Sequence, residues 1–596
     1  MPPKLLSLQQ MAEQMADIED KMEEEYKRQR SRRSKHDRDT DSDTDTDTDS
    51  DSNEKNLTSS RKGSMSPQLS DDEEVYVNPR KTIYSKSKIP TIKLEPHQVN
   101  HFNKLNIFMD KLPCVIDASM TGSGKTYVSA KLAKDRKLKL FILAPLTVGE
   151  TWEQIIEEYD IPVEQIMTYQ KLAGKINHKP DHGYLIREDH LTETSEVTTT
   201  FITTQKFDDI IKQGILLAVD ESQFVKNGSS RYNKAVKAMI RRINEMFLRN
   251  QTKSRAILIS ATPVDKKQQL TDIIKLMGYI VQHKLYEKSQ YLGLDDMIQW
   301  AKHIDPITAD NFVKYRETAN THKKSEDFIF DLFMTVFKPN MMSIMPLQFL
   351  DARKDIANGY YKMSALEEQE YLSAVSQLKI ASKFDEKLGT IIEETKNIGE
   401  LTKAINRIQR VKVPVIVRQI KDEISKVERN FKGQVLVKKF CLFADYNDVI
   451  DLLLLQLKEY APVELTGRLT LDDRLENLEM FQMPDNKCRI IICNTVIGGI
   501  GVNMHDITGL FPRISYLMAN YKINELQQAT GRTFRSGTKG IAKIRIVYGQ
   551  TQAMKVNIET SIYNSLQRKG EVMSTILKEQ REAGVLFPNE YPDEFY

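Results

Sequence analysis

The sequence predicts an α/β protein: two parallel-sheet domains in tandem, a helical insert between them, and a disordered charged tail in front. Three observations predict it. Between residues 91 and 280, the apolar segments "CVIDAS", "KLFILAPL", "TTTFITT", "GILLAVDES" and "RAILISATP" alternate with amphipathic stretches. Their length and β-rich composition are those of strands buried on both faces of a parallel sheet. The same texture returns after residue 430 in "VKKFCLFA", "APVELTG", "CRIIICNTV", "RISYLMAN" and "IRIVYG". Finally, a glycine loop, "ASMTGSGKTY", stands between the strand "CVID" and the helical "VSAKLAKD".

Taken in order, residues 1–90 form the tail. A helix is predicted over 4–30, where Leu5, Leu8, Met11, Met15, Ile18 and Met22 fall at helical spacing. The basic "KRQRSRRSKHDR" follows, and then Asp at every second position from Asp39 to Asp51. Such a tract has no apolar surface to bury and stays solvated. As a spacer it needs no partner; phosphorylation, partner binding and, for the basic block, nuclear import are its functional alternatives. Residues 91–280 make the first sheet domain, 281–430 the mainly helical insert, 431–570 the second sheet domain, and 571–596 a C-terminal tail. The 596 residues allow about two to four domains. A net charge of +3 carries no strong overall field, so any nucleic-acid surface must be local. Four scattered cysteines without a CxxC pair point to neither a disulfide framework nor a zinc site, and fit a reducing, intracellular compartment. The longest apolar runs are too short to span a bilayer, so no membrane partner is expected.

The glycine loop is a phosphate site in its proper context of strand, loop and helix. In Ser119, Met120, Thr121, Gly122, Ser123, Gly124, Lys125 and Thr126 the glycines let the backbone close around phosphate oxygens. Lys125 reaches the β/γ-phosphates of ATP, and the Thr126 hydroxyl holds Mg²⁺. Ser119 takes the place of the first glycine of the strict eight-residue pattern. Asp220, Glu221, Ser222 and Gln223 close the strand "GILLAV". Asp220 is then the second Mg²⁺ residue and Glu221 the group that orients or deprotonates the attacking water. Alone, an Asp-Glu pair after a strand is a weak signal; after a P-loop it is a strong one.

With these residues the chain resembles the superfamily 2 helicases and translocases over nearly all of 91–570, which implies two RecA-like domains. "LEPHQVNHF" looks like the segment whose glutamine reads adenine, which gives Gln98 that role. "ILAPLTVGETW" looks like the motif that touches the nucleic-acid backbone. "VDESQFVKN" with "SATPVDKKQQL" is similar to the Swi/Snf-like branch, and makes Ser260, Ala261 and Thr262 the coupling motif. "ELTGRLTLDDRLENLEMFQ", "NTVIGGIGVNMHD" and "QATGRTFR" match later motifs in the right order. Residues from "VNMHDITGLF" to "IRIVYG" resemble the strawberry notch helicase family, whose relatives occur in large DNA viruses. Within that match His505-Asp506 belongs to a family motif and is not read as a metal site. One departure stands out: position 223 is Gln where the family usually has His. The amide offers both a donor and an acceptor.

On a helix, Gln528, Arg532 and Arg535 share one face, being i, i+4 and i+7. Gly531 leaves room beside them. That stripe suits a face of arginine fingers supplied to the ATP of the other domain. The reading that results is an ATP-dependent helicase or translocase with sequence-independent backbone contacts to DNA or RNA. The loops after "LAPLT", "TTQKF" and "CNTVIGG" carry those contacts. Two other readings stay open: a non-unwinding ATPase that works with the transcription machinery, and a scaffold with a degenerate core. Seven retained site residues, Lys125, Thr126, Asp220, Glu221, Gln528, Arg532 and Arg535, weigh against the last. A viral origin implies a virion or a cytoplasmic viral factory, and the nucleus is the alternative.

Overall fold

The computed structural model describes residues 90–550, except 176–177, 192–196, 265–266, 280–293, 319–324, 346–351, 382, 386–389, 394–397, 496–502, 519–522 and 536, together with 570 and 575–576. The expected tails lie almost wholly outside these residues, as does most of the "TVIGGIGV" loop. The described residues from Thr91 onward belong to one compact unit.

The first sheet domain opens with helix α1 (Pro96–Lys111), followed by β1 (Cys114–Asp117), α2 (Lys125–Asp135), β2 (Lys139–Leu143), α3 (Leu146–Tyr159) and β3 (Val163–Met167). It continues with β4 (Ile215–Asp220), α4 (Arg231–Leu248), β5 (Arg255–Ile259) and the short β6 (Met342–Ser343). The strands form one sheet in the order β3-β2-β4-β5-β1-β6, with every pairing parallel. Strands β1, β4 and β5 are buried at every residue, as near-continuous apolar runs must be when helices cover both faces. Register places Asp117 and Asp220 both opposite Ile259. The loops that follow the three central strands therefore leave the same edge of the sheet, where ligands of parallel α/β sheets bind.

The second sheet domain contains β7 (Ala352–Lys362), helices α5 (Ala365–Ala381) and α6 (Ile398–Ser425), and β8 (Lys439–Ala444). After these come β9 (Val463–Leu465), β10 (Ile490–Asn494), β11 (Arg513–Met518), helix α7 (Ile523–Thr533) and β12 (Gly540–Gln550). The order is β9-β10-β8-β11-β12-β7, again parallel throughout. Helix α6 serves two cores. Val413, Ile416, Val417 and Ile420 pack on the sheet, and Ala404, Ile408, Val411 and Val415 pack on Tyr371, Ala374, Val375 and Leu378 of α5.

Two segments differ from expectation. "TTTFITT" is not a strand of the parallel sheet: Val197–Thr203 pairs antiparallel with Leu185–Leu191 in a separate hairpin. Its Thr198 and Thr200 face solvent and Ile202 is half-exposed. It alternates as a one-sided strand does, which its β-branched composition concealed. The segment expected to be mainly helical also supplies an edge strand to each sheet. β6 joins β1 and β7 joins β12. β6 is too short to show a period, and β7 ("ARKDIANGYYK") carries the charges that protect an edge.

Candidate active site

Everything expected of the phosphate loop starts at the end of β1. Gly122 and Gly124 both have positive φ, +79° and +87°, and Gly124 caps α2, so Lys125 and Thr126 open the helix. That backbone is the one a tight anion loop requires. Lys125 Nζ donates to the Ser119 and Met120 carbonyls at 2.9 and 2.8 Å, folded back into its own loop. Burial lowers its pKa, against the nearby Asp117, Glu221 and Asp220 charges, with Arg535 adding to the lowering. Ser123 Oγ donates to the Met120 carbonyl. Gln98 lies against the loop: its Nε2 donates to the Ser123 carbonyl at 3.0 Å and its Oε1 accepts from Glu95 N.

At the end of β4, Asp220 is buried, and burial followed by the Glu221 charge pushes its pKa up, to about 6. Its Oδ1 accepts from Glu221 N at 2.9 Å and its Oδ2 from Trp152 Nε1 at 2.8 Å. Glu221 holds a left-handed backbone, φ +53°, an uncommon conformation for a non-glycine residue and one that marks functional turns. The turn aims the carboxylate at two neighbours, Gln223 and Gln528. Gln223 Nε2 donates to Glu221 Oε2 at 2.7 Å, and Gln223 Oε1 accepts from Ser260 Oγ at 2.6 Å. From the second domain, Gln528 Nε2 reaches the same Glu221 Oε2 at 3.4 Å. Ser260 Oγ in turn accepts from Thr262 N at 3.0 Å, with Ala261 between them. Ser222 lies buried in the 3₁₀ turn that follows Glu221. The amide at 223 thus does both halves of a relay, donor to the glutamate and acceptor from the serine.

Helix α7 of the second domain lies against this loop. A Cβ on Gly531 would stand 3.1 Å from Thr121 Cβ, so the glycine sets how near the helix comes. A Cβ on Gly122 would meet Arg535 Cβ at 2.7 Å and Arg535 Nε at 2.8 Å. The Arg535 side chain therefore rests on the phosphate loop, and its buried Nη1 has no hydrogen-bond partner among the described residues. Burial lowers the pKa of Arg535 to about 10; burial and then the Arg535 charge lower that of Arg532 to about 9. Both guanidiniums stay protonated at neutral pH, held in a dry place where an anion would be welcome.

Of the residues expected from the sequence, the structure gathers Gln98, the phosphate loop, Asp220, Glu221, Gln223, Ser260, Gln528, Arg532 and Arg535 around one cleft. Asp506 is elsewhere and busy: its carboxylate accepts from Thr508 N and Oγ1, Gly509 N and Phe511 N, capping a loop. No cluster of three or more His, Cys, Asp or Glu suited to a metal occurs among the described residues. Thr126 and Asp220 nevertheless fit Mg²⁺ held chiefly by phosphate oxygens, which needs only one or two protein oxygens.

Sequence reasoning missed several groups. Trp152 lies inside the quoted "ILAPLTVGETW", but nothing in its spacing announced that it bonds Asp220. Tyr169 donates its hydroxyl to the Asp220 carbonyl. Behind the loop, buried His101 stands 3.0 Å from Asp117 and 2.8 Å from Ser343 Oγ, while Ser119 Oγ accepts from Met345 N. The phosphate loop is thereby tied to the chain leaving for the second domain.

The chain is similar to several known proteins. Residues 416–537 match the family model "Helicase conserved C-terminal domain". The chain is 24% identical over 497 residues to an Acanthamoeba polyphaga mimivirus protein named "Putative ATP-dependent RNA helicase", covering 83% of this chain and 86% of that one. It is 27% identical over 174 residues to the DNA repair protein RAD5 of Candida albicans, 28% of this chain and 15% of that protein. Among solved structures it matches the Sulfolobus solfataricus SWI2/SNF2 ATPase core in complex with dsDNA. That match has 14% identity and a TM-score of 0.28, over 84% of this chain and 99% of that one.

Proposed function

We propose that this chain, similar to helicases in its C-terminal domain and over most of its length, is an ATP-hydrolysing superfamily 2 helicase or translocase, a nucleic-acid-stimulated motor with its ATP site built by both sheet domains. The observation that carries the proposal is the contact of the second domain with the first: Gln528 of α7 at Glu221, and Arg535, two residues past the end of α7, on Gly122. In this reading ATP enters between the phosphate loop and α7. The γ-phosphate draws Lys125 from the Ser119 and Met120 carbonyls and occupies the free donor of Arg535. Glu221, held by Gln223 and Gln528, orients the attacking water and accepts its proton. Arg532 and Arg535 stabilise the charge that grows on the transferred group. Mg²⁺, held by Thr126 and Asp220, would supply further neutralisation of the phosphates.

Closed and open states of the two domains, selected by nucleotide, then move the protein along a nucleic-acid backbone. The relatives' names include both RNA and DNA, and the backbone contacts expected of such a motor do not depend on sequence. Four buried free cysteines agree with a reducing compartment, and no helix among the described residues is long and apolar enough to cross a membrane. The test is ATP turnover without nucleic acid and with single-stranded and duplex DNA and RNA, followed by strand displacement. Turnover should rise at least several-fold with one of them, and Lys125→Ala should abolish it. Turnover that no nucleic acid changes would overturn the motor reading.

A further inference from the structure

A buried indole N–H needs an acceptor, and most find a backbone carbonyl or water. Trp152 has instead taken a carboxylate oxygen of the ATP site. Its Nε1 lies 2.8 Å from Asp220 Oδ2. The side chain is wholly buried and Asp220 is 5% exposed. The second oxygen of Asp220 accepts from Glu221 N at 2.9 Å, and Tyr169 bonds the Asp220 carbonyl. The carboxylate is therefore clamped from both sides, which fixes its rotamer and leaves its remaining lone pairs as the only ones free to face the phosphate loop.

We infer that Trp152 is a positioning residue of the ATPase reaction: its indole sets the orientation of Asp220 and makes that orientation depend on the seat of α3. The inference rests on the function proposed above. The donor belongs to a different element from the acceptor, so the bond reports the relation of α3 to the end of β4. Helix α3 begins at Leu146, 78% exposed, less than two turns or about 9 Å along the axis from Trp152. Hydrogen bonds fade steeply beyond about 3.2 Å, so a displacement of α3 by less than 1 Å would release Oδ2. Partners that hold such a ligand from outside are what orient it for the metal. Phenylalanine at 152 would keep an aromatic ring in the buried site, delete the donor and leave a small void that lowers stability modestly.

The experiment compares wild type with Trp152→Phe by steady-state ATP turnover, nucleotide affinity and thermal melting, with nucleic-acid stimulation of the wild type measured alongside. The loss of one hydrogen bond to a charged group predicts a kcat lower by about tenfold or more. KM should stay within about twofold and the melting temperature should fall by no more than a few degrees, the cost of the small void. An unchanged kcat, or a kcat, KM and melting temperature that all move together, overturns the inference. The chain has two tryptophans, so a Trp300→Phe protein carries Trp152 as its only one. Its emission should shift when Mg²⁺ is added in the presence of a non-hydrolysable ATP analogue. If Trp152→Phe does not fold, that emission decides: a shift supports the positioning role and its absence overturns it. Wild-type turnover that no nucleic acid stimulates would end the motor proposal while leaving the role of Trp152 to be judged on kcat alone.

Discussion

At the scale of single residues, Gln223 shows how one substitution is accommodated. Its amide donates 2.7 Å to Glu221 and accepts 2.6 Å from Ser260, so a group with no charge to lose links the Glu221 carboxylate to the end of β5. Gln223→Ala removes a hydrogen bond to a charged group, an effect of ~1.5–3 kcal/mol, or about 10- to 100-fold. Turnover should fall by that factor with ATP affinity unchanged, because no phosphate contact is lost; the split between kcat and KM checks it. Gln223→His should restore turnover only at higher pH. Neutral imidazole has one donor and one acceptor, but below about pH 6.5 it becomes a double donor and can no longer accept from Ser260. The acid limb of the variant's pH profile should therefore begin at higher pH and be steeper than that of wild type, whose own limb follows Asp220 near pH 6. The donor and acceptor needed here were legible in the residue type. The third partner, Gln528, was not, because only the folded chain brings position 528 to position 221.

Among the elements, legibility follows burial. β1, β4 and β5 are apolar on both faces and declare themselves in the sequence; β6 and β7, at sheet edges, do not, since an edge strand is short or charged by necessity. The segment "TTTFITT" reads as a strand of the parallel sheet, yet pairs antiparallel outside it, because β-branched residues favour either setting. Helices α5 and α6 were legible as helices, but their pairing was not. Part of that pairing is ionic: Arg418 donates to both oxygens of Glu367 at 2.6 and 2.8 Å, and Ser364 N donates to Glu367 Oε2. The Arg418 fork, against some burial, lowers the Glu367 pKa from 4.5 to about 2. The carboxylate's contribution is thus present above pH 4.5 and fades as pH falls toward 2. Since Arg418 is half-exposed, the pair is worth ~1 kcal/mol. Glu367→Gln should lose that amount near pH 7, and its difference from wild type should shrink as pH falls below about 4.5 and close toward pH 2. Denaturant unfolding of both proteins across that range measures it.

Across the whole molecule, the site exists only because two sheet domains meet. The phosphate loop and the acidic turn were legible in the first half, and Gln528 and Arg532 on one helix in the second; Arg535 was expected on that helix at i+7, but α7 ends at Thr533 and Arg535 stands in the bend after it. What the spacing could not give is the distance of approach. Two glycines set it, Gly122 under Arg535 and Gly531 against Thr121, and the chain between the domains is anchored behind the phosphate loop by Ser343 and Met345. Arg535 is where the account is most exposed to refutation. It touches the loop from the other domain, and its buried Nη1 has no partner among the described residues. The direct measurement is ATP affinity, ATP turnover and nucleic-acid affinity for wild type, Arg535→Ala and Arg535→Lys on matched preparations. A finger acts mainly as charge develops, so both affinities should stay within a few-fold while Arg535→Ala turns over about 10³-fold or more slowly. Arg535→Lys should recover little, because an ammonium lacks the guanidinium fork. Unchanged turnover in Arg535→Ala, or a joint collapse of turnover and both affinities, would contradict an ATP site completed across the two domains.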